Sequence, residues 1–245
     1  MSEFVGARVL ITGGGSGTGA DMARGFAGAG ADVVIAGRGL AALKAVAGDA
    51  MRSCVVDVGD EASVDALWAA AGPFEIVIAN AGAAASAPLA RQTLEEWNDL
   101  IAVNLTGVFL TFRAGLRQAV APRRLIAVAS VAGLRGYPYI GAYAAAKHGV
   151  VGLVRSVADE VAARGTTVNA ICPGYLETEM TARTLANIQA KTGKSEAEAR
   201  AGLERASPQG RLFQPAEVSA TALWLAGAGA AGVNGQAIAI SGGSL

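Results

Sequence analysis

The sequence predicts a doubly wound α/β fold, in which helices cover both faces of a parallel sheet of about seven strands. Three observations support this prediction. Short, continuously apolar runs alternate with longer Ala-rich segments, as expected for buried parallel strands joined by helical crossovers. Of the 245 residues, 52% are hydrophobic and only 16% are charged, which favours a sheet covered on both faces. No linker or internal repeat divides the sequence, so we expect a single domain over residues 1–245.

Seven apolar runs are each too short for a helix and are predicted to be strands. They cover residues 7–12, 31–37, 53–58, 74–80, 124–130, 166–172 and 236–242. The intervening segments that are long enough for helices include 18–30, 61–72, 95–120 and 143–164. A charged segment of helical pattern at about 178–214, flanked by Pro173 and Pro208, is predicted to be a substrate lid.

The charge balance and the N-terminal sequence limit the class of partner. Twenty Lys and Arg residues balance twenty Asp and Glu residues, so no net field attracts nucleic acid or an anionic membrane. We therefore expect a small-molecule substrate. Glu3 and the lack of a basic region before the first apolar run argue against a signal peptide, and the apolar stretches contain charges or glycine breaks. These features predict a cytoplasmic protein without a membrane span.

The two cysteines, Cys54 and Cys172, are far apart in the sequence and show no metal-ligand spacing. We expect both to be buried free thiols, because thiols are among the most buried side chains. The sequence therefore predicts neither a metal site nor a disulfide framework.

A glycine-rich loop directly follows the first predicted strand. It runs Thr12-Gly13-Gly14-Gly15-Ser16-Gly17-Thr18-Gly19 and leads into a predicted helix. Glycines allow close backbone approach to a pyrophosphate, and the start of the next helix offers unpaired N–H groups. The spacing from Gly13 to Gly17 is one residue wider than the usual dinucleotide fingerprint, and a P-loop lysine is absent. We therefore predict a Rossmann-type dinucleotide site with a variant loop.

The residues after the second and third strands bear on the choice of coenzyme. Arg38 stands where many dinucleotide folds place an acid that binds the ribose 2′-hydroxyl of NAD. Its guanidinium suits a 2′-phosphate, which favours NADP; the alternative is a solvated Arg38 and the use of NAD. Two roles fit Asp57 equally, to accept a hydrogen bond from the adenine amino group or to cap the next helix.

A second set of motifs follows the later strands. It comprises Asn80-Ala81-Gly82 after strand four, Asn104 within the 95–120 helix, Ser130 ending strand five, Tyr143 and Lys147 opening the next helix, and Pro173-Gly174 with Thr178 after strand six. In this order and spacing, with the glycine loop, the chain resembles the short-chain dehydrogenase/reductase family over nearly its whole length. The resemblance implies a nicotinamide-dependent oxidoreductase that interconverts a secondary alcohol and a ketone.

Tyr143 and Lys147 are four residues apart on a predicted helix and therefore share a face. A free tyrosine has a pKa of about 10, so a nearby cation is needed to favour its phenolate, and Lys147 supplies that charge. In the reduction direction we expect Tyr143 to donate a proton to the carbonyl oxygen while Ser130 holds that oxygen. The resemblance further implies that Lys147 binds the nicotinamide ribose and that Asn104 holds a water linking Lys147 to solvent.

The expected coenzyme contacts extend along the whole chain. They are Thr12, Gly13, Ser16, Gly17, Gly19, Arg38, Asp57, Asn80, Gly82, Tyr143, Lys147, Pro173, Gly174 and Thr178. Thr178 could instead cap the lid helix. The family motif Asn-Asn-Ala-Gly begins here with Ala79, which removes one amide. His148 is expected to be structural, because adjacent helical residues point about 100° apart and it cannot share the target of Lys147.

We expect the substrate between the loop that joins Ser130 to Tyr143 and the lid. That loop is apolar and aromatic with one cation, which argues against a naked sugar. The lid cations either recognise an anionic tail of a CoA or carrier protein or form the solvated face of an amphipathic helix; they are Arg183, Lys191, Lys194, Arg200 and Arg205.

The segment from strand six into the lid resembles those of 3-oxoacyl thioester reductases, 3-hydroxybutyrate dehydrogenases and aromatic polyketide ketoreductases. A 3-oxoacyl or 3-hydroxyacyl substrate is therefore favoured. The alternatives are a bulkier cyclic, polyketide or steroid-like alcohol and, in a different class, a catalytically silent coenzyme-binding regulator. Because members of the family are usually dimers or tetramers, we also expect a homotetramer.

Overall fold

The computed structural model describes residues 3–245 and contains, within them, one parallel sheet of seven strands in the order β3-β2-β1-β4-β5-β6-β7. The strands are β1 Arg8–Thr12, β2 Asp32–Gly37, β3 Arg52–Val55, β4 Ile76–Ala79, β5 Arg124–Val128, β6 Thr167–Pro173 and β7 Ala237–Ile240. This order is that of the doubly wound dinucleotide-binding fold. The predicted fold class is confirmed.

Helices cover both faces of the sheet. They are α1 Gly17–Gly28, α2 Leu40–Ala47, α3 Glu61–Ala71, α4 Leu94–Ile101, α5 Gly107–Arg117, α6 Gly141–Val161, α7 Glu179–Thr192, α8 Glu196–Glu204 and α9 Pro215–Ala226. Side chains of α1, α2 and α9 form one buried cluster with the sheet, and those of α3, α5 and α6 form another on the opposite face.

A row of isoleucines crosses four neighbouring strands under α1 and α9. Ile35, Ile11, Ile78 and Ile126 are paired in register from β2 to β5, and all four are buried. Burying each such side chain contributes about 1.5–3 kcal/mol. Because both faces are covered, the strands are apolar at consecutive positions and not at alternate ones.

Several predicted bounds are wrong in detail. Strands three and five end at Val55 and Val128, two or three residues earlier than predicted, so Asp57 and Ser130 lie beyond the strands. The predicted 95–120 helix is interrupted by a π-helical turn at Ala102–Thr106. A π turn hydrogen-bonds over five residues and so leaves little trace in an apolar periodicity of 3.6.

The predicted lid segment folds into two helices, α7 and α8. Gly193, with φ of 70°, ends α7, and Ser195 caps α8 in a reciprocal capping box with Glu198. The lid has its own small apolar cluster, which includes Leu185 and Leu203. It is therefore an ordered helical hairpin.

The two ends of the lid are joined at its base. The Phe213 N–H donates to the Tyr175 carbonyl oxygen at 2.9 Å, and the Glu177 N–H donates to the Phe213 carbonyl oxygen at 2.8 Å. Arg200 of α8 reaches back to the carboxylate of Glu177 and also bonds to Glu204 at 2.9 Å. These contacts fix the hairpin to the carboxyl end of β6.

One stretch, Leu94–Arg117, meets the length and hydropathy of a membrane-spanning helix. It comprises α4, the π turn and α5, and it includes Gly107 and Gly115. Half of its most apolar window is buried inside the fold. In this structure the stretch supplies core residues to the α3–α5–α6 face, and the absence of a membrane span stays a prediction.

Candidate active site

Four neighbouring strands deliver the candidate residues to one edge of the sheet. Because β1, β4, β5 and β6 are adjacent and parallel, their carboxyl ends lie side by side. The glycine loop follows β1, Asn80 follows β4, Ser130 follows β5 and Pro173 ends β6. The strand order reverses between β1 and β4, which is where open α/β sheets form a ligand crevice.

The glycine loop is packed too tightly for side chains at Gly13, Gly14 and Gly19. A Cβ on Gly14 would lie 2.6 Å from the Cβ of Ile35, and a Cβ on Gly19 would lie 2.2 Å from the Gly13 carbonyl oxygen. The Gly13 N–H donates to the Ala36 carbonyl oxygen at 2.7 Å, which ties the loop to β2. These contacts hold the loop flat against the carboxyl ends of β1 and β2.

The start of α1 is open to an anion. The N-cap residue Ser16 is exposed and makes no side-chain capping bond, and the first turn from Gly17 carries no acid. The unpaired N–H groups and the positive end of the helix dipole therefore face outward. A methyl carbon of Thr178 lies 3.5 Å from the Cβ position of Gly17. This arrangement fits the pyrophosphate of a dinucleotide between the loop and the base of the lid.

The side chains of Thr12 and Asn80 hold the glycine loop against the end of β4. The Thr12 hydroxyl accepts hydrogen bonds from the N–H groups of Asn80 at 3.0 Å and Ala81 at 3.1 Å, and lies 3.5 Å from the Ile78 carbonyl oxygen. The Asn80 amide donates to the carbonyl oxygens of Thr12 at 2.9 Å and Gly13 at 3.3 Å. Both side chains are thus engaged with the backbone, which joins the glycine loop to the end of β4.

Arg38 is exposed directly after β2, beside the glycine loop, and no side-chain hydrogen bond or ion pair engages it within residues 3–245. Asp57 is also exposed, and its Oδ1 accepts from the Gly59 N–H at 2.9 Å. The helix-cap role considered for Asp57 is wrong. Asp60 caps α3 instead, through a bond of 3.2 Å from the Ala62 N–H.

Ser130 lies at the centre of the edge and orders a tight turn. Its Oγ accepts from the Ala132 N–H at 3.1 Å and so caps a 3₁₀ turn at Val131–Gly133. The same oxygen lies 3.5 Å from the Pro173 carbonyl oxygen at the end of β6, and Ser130 is near enough to the Tyr143 phenol to lower its pKa. The hydroxyl is therefore placed between the ends of two strands and the first turn of α6.

Lys147 is buried, with only 3% of its surface exposed. Its ammonium donates to the Val128 carbonyl oxygen at 2.9 Å and lies 5.7 Å from the centre of the Tyr143 ring. The Ser130 turn packs directly on this part of α6, because a Cβ on Gly133 would lie 2.6 Å from the Lys147 carbonyl oxygen. The structure therefore brings Ser130, Tyr143 and Lys147 together as predicted.

Burial dominates the protonation of both groups. It raises the pKa of Tyr143, and the interaction with Ser130 opposes this shift only in part. Burial also lowers the pKa of Lys147 to about 8. The expected lowering of the Tyr143 pKa is not what this site shows, because burial desolvates the phenolate.

Asn104 is fully buried in the π turn and faces the loop after β4. Its amide donates to the carbonyl oxygens of Ala83 at 2.9 Å and Leu100 at 3.0 Å, and its Oδ1 accepts from the Ala83 N–H at 3.2 Å. A Cβ on Gly82 would lie 2.9 Å from that Oδ1 and 3.8 Å from the Lys147 Nζ. Asn104, Gly82 and Lys147 are therefore immediate neighbours.

The segment after β6 connects the site to the lid. The Gly174 N–H donates to the Ile240 carbonyl oxygen at 2.9 Å, which fixes the turn after Pro173 to β7. Thr178 is the N-cap of α7, and its Oγ1 accepts from the Thr181 N–H at 3.5 Å. Thr178 therefore caps α7, which was one of the two roles considered for it. Its methyl group also lies beside Gly17 of the glycine loop.

Three features of the site escaped the sequence analysis. The carbonyl oxygen that accepts from Lys147 belongs to the backbone of Val128. Because every residue type has such a carbonyl, the sequence could not identify it. Cys172 is a buried free thiol as predicted, whereas Cys54 is only half-buried; what was not predicted is that Cys172 lies close to Lys147 and Ser130, and burial raises its pKa to about 11. Tyr175 lies near Tyr143, and its position after Pro173-Gly174 was the available signal.

Two of the five lid cations make ion pairs at the lid or its base, and Lys191 instead donates to the Ser86 carbonyl oxygen at 3.3 Å. Arg200 bonds to Glu177 and Glu204, and Arg183 lies 3.6 Å from Glu179. The Nδ1 of His148 lies 2.8 Å from the Ala144 carbonyl oxygen of its own helix, away from the Tyr143–Lys147 face. Within residues 3–245, no three His, Cys, Asp or Glu side chains are grouped to hold a metal ion.

Residues 7–189 match the family model for short chain dehydrogenases. The 3beta-hydroxysteroid dehydrogenase 1 of Eggerthella lenta is 37% identical over 98% of this chain and 94% of its own length. The 3-oxoacyl-acyl-carrier-protein reductase FabG of Escherichia coli is 36% identical over 78% of this chain and 77% of its own length.

The fold of the whole chain also resembles that of a solved structure. A crystal structure of a single-substitution variant of actinorhodin polyketide ketoreductase with NADPH superimposes with a TM-score of 0.92. It is 32% identical in sequence and covers 98% of this chain and 97% of the ketoreductase.

Proposed function

The chain belongs to the short chain dehydrogenase family and is an oxidoreductase acting on CH–OH groups, and from this premise we propose that it reduces the ketone of a 3-oxoacyl substrate with NADPH. The observation that carries the proposal is the convergence of Ser130, Tyr143 and buried Lys147 beside the glycine loop. The presence of Ser130, Tyr143 and Lys147 together argues against the catalytically silent regulator considered above.

In the reduction direction the Tyr143 phenol donates its proton to the substrate carbonyl oxygen, and the Ser130 hydroxyl hydrogen-bonds to the same oxygen. The raised pKa of Tyr143 supports this direction, because the phenol keeps its proton at neutral pH. A bound nicotinamide coenzyme supplies the hydride to the carbonyl carbon. The products are the secondary alcohol and a Tyr143 phenolate that must regain a proton.

Lys147 returns that proton. Its lowered pKa, about 8, places proton transfer close to neutral pH, and its ammonium is held within 5.7 Å of the Tyr143 ring centre. One lone pair of Asn104 Oδ1 remains for a water that links Lys147 to solvent, since Ala83 uses the other. The free N–H groups of Lys147 bind the nicotinamide ribose.

A dinucleotide coenzyme would be held at the start of α1, where Gly13, Ser16, Gly17 and Gly19 border the open N–H groups that suit its pyrophosphate. Arg38 pairs with the 2′-phosphate of NADP, because it is exposed beside the loop without a carboxylate partner in residues 3–245. The remaining contacts are Asp57 to the adenine and Asn80, Gly82, Pro173, Gly174 and Thr178 around the nicotinamide half. Thr12 acts through the loop that it braces.

The substrate class rests on the kinds of relatives. By their names, one relative reduces a 3-oxoacyl group and another is a ketoreductase of a polyketide. A second candidate is a cyclic or steroid-like alcohol, which the full-length similarity to a hydroxysteroid dehydrogenase favours.

We further propose that the chain is a single domain with the lid at 178–214, that it is cytoplasmic, and that it assembles as a homotetramer. Light scattering should then give four times the 24.4 kDa chain mass.

The test combines binding and turnover. NADPH and NADH are titrated into the wild type and Tyr143→Phe, and oxidation of each coenzyme is followed spectrophotometrically with a 3-oxoacyl thioester. We expect tighter NADPH binding in both proteins and a loss of turnover of about 100-fold or more in Tyr143→Phe, the usual scale of a general acid. Coenzyme binding without turnover of any ketone by the wild type would contradict the proposal.

A further inference from the structure

The last five residues, 241–245, form a tail that leaves β7 beside the candidate site. At the end of β7, the Ile240 carbonyl oxygen accepts from the Gly174 N–H at 2.9 Å. The neighbouring Pro173 carbonyl oxygen lies 3.5 Å from the Ser130 hydroxyl. The tail therefore starts at the edge of the sheet where the candidate catalytic side chains meet.

Two consecutive glycines turn the tail sharply. Gly242 has a φ of 61° and Gly243 a φ of 91°, in the left-handed region that other residues rarely adopt. The Ser244 N–H donates to the Ser241 carbonyl oxygen at 3.3 Å and closes the turn. This turn brings the Ser244 carbonyl oxygen to the loop after Ser130, where it accepts from Arg135.

The same turn packs against the end of the lid. Ser207, which follows α8, is 7% exposed, and its hydroxyl donates to the Ser241 carbonyl oxygen at 3.3 Å. A Cβ on Gly242 would lie 2.5 Å from that hydroxyl oxygen and 2.9 Å from the Cγ of Gln209. Because no side chain fits between the tail and the lid, the position of the tail depends on the end of the lid.

Arg135 connects the tail to the loop after Ser130. Its Nη1 donates to the Ser244 carbonyl oxygen at 3.4 Å, and its guanidinium carbon lies 5.5 Å from the centre of the Tyr137 ring. Its own backbone N–H donates to the Val131 carbonyl oxygen at 3.0 Å. The tail therefore holds the side chain of the residue whose backbone closes the turn that begins at Ser130.

The turn after Ser130 is already fixed on its other side. Ser130 caps it through the Ala132 N–H at 3.1 Å, and the Gly133 N–H donates to the Ser130 carbonyl oxygen at 2.8 Å. A Cβ on Gly133 would lie 2.6 Å from the Lys147 carbonyl oxygen, so the turn packs tightly on α6. Arg135 ties the end of the turn that faces away from α6.

From these contacts we propose that Arg135 is a positioning residue, which holds the Ser130 turn to the tail and, through the tail, to the end of the lid. This inference rests on the proposed ketone reduction, in which Ser130 hydrogen-bonds to the substrate oxygen. That bond strengthens as negative charge develops on the oxygen in the transition state. A displaced Ser130 therefore lowers kcat without weakening the binding of the ketone or the coenzyme.

Four variants separate this role from a general loss of stability. Arg135→Met removes the donor and keeps a long side chain, whereas Arg135→Lys keeps both a donor and the charge. Gly242→Ala displaces the tail from the lid, because its Cβ would clash with the Ser207 hydroxyl. Gly165→Ala is the matched control, since Gly165 has a φ of 76° but lies before β6, with no atom within 4 Å of its Cβ position.

For each variant, kcat and KM are measured with a 3-oxoacyl thioester, and the Kd for NADPH is measured by titration. We expect kcat to fall by about 3- to 10-fold in Arg135→Met and in Gly242→Ala, the scale of one hydrogen bond, with KM and Kd unchanged. Arg135→Lys and Gly165→Ala should keep the wild-type kcat. Because both slow variants break one connection, the double variant should be no slower than the slower single variant.

Three results overturn the proposal. They are a wild-type kcat in Arg135→Met, an Arg135→Lys variant as slow as Arg135→Met, and a double variant in which the two losses multiply. Arg135 is exposed, so its substitution leaves the core intact. The two Arg135 variants therefore decide the question even if Gly242→Ala does not fold.

Hydrogen exchange followed by mass spectrometry tests the same connection without turnover. The N–H groups of residues 132–135 are all hydrogen-bonded within the Ser130 turn. They should exchange about 3- to 10-fold faster in Arg135→Met than in Arg135→Lys, after correction for intrinsic rates. If the wild type reduces no ketone, the proposed function fails and this comparison decides alone; equal exchange in the two variants overturns the connection.

Discussion

Replacing Thr12 by Val tests whether the glycine loop is held by the hydroxyl described above. Valine keeps the shape of the side chain and removes the oxygen that accepts from the N–H groups of Asn80 and Ala81 at 3.0 and 3.1 Å. Thr12 is 2% exposed, so water cannot readily replace the oxygen. Both N–H groups then lose their acceptor at the junction of the glycine loop and β4.

The loss of stability can be worked out from the two N–H groups that are left without an acceptor. A buried N–H without an acceptor costs about 1–3 kcal/mol, and the lower part of this range applies because Asn80 and Ala81 are only half-buried. The free energy of unfolding should therefore fall by about 2–4 kcal/mol. For a chain of this size that corresponds to a drop in Tm of roughly 4–16 °C.

The assay is thermal and denaturant unfolding of the coenzyme-free protein, with Thr12→Ser as the matched control. Serine keeps the hydroxyl and loses one methyl group, which costs about 0.8 kcal/mol. Thr12→Val should therefore be the less stable variant by about 1–3 kcal/mol. If both variants unfold alike and differ only in NADPH affinity, Thr12 is a direct coenzyme contact and the bracing role is wrong.

Two further predictions concern charge. Arg38→Ser should weaken NADPH binding by about 10- to 100-fold, the value of charge-assisted hydrogen bonds, and leave NADH binding unchanged in the same titration; equal effects on both coenzymes would exclude a 2′-phosphate contact. The pKa of Lys147 is lowered by burial to about 8, so its cationic form is lost as pH rises through that value, well below its usual range. The kcat/KM for ketone reduction should therefore fall above about pH 8, and a profile that stays flat to about pH 10 would show that the cation is not required.

The sequence predicted which candidate catalytic side chains the fold brings together. Ser130, Tyr143 and Lys147 meet because parallel strands deliver their ends to one edge and because residues four apart share a helix face. The alternation of apolar runs was likewise sufficient for the sheet, since each strand is buried on both faces.

What escaped prediction depends on backbone groups and on burial. The carbonyl that holds Lys147 comes from Val128, and any residue there would provide it. The direction of the Tyr143 pKa shift depends on how deeply the phenol is buried, and spacing along a helix says nothing about depth. The functions of Thr12 and Asn80 as braces required the register between β1 and β4.

The position of Asn104 in the site depends on the number of residues in the π turn at Ala102–Thr106. A π turn holds one residue more than the α-helical turn it replaces. Deleting one codon here would leave a regular α-helical turn with the two flanking segments in about the same orientation, but it would remove the wider turn that carries Asn104. Asn104 would then lose its alignment with either Leu100 or the Ala83 backbone. A scaffold designed to carry this candidate site would therefore need the extra residue of the π turn as well as the site's side chains.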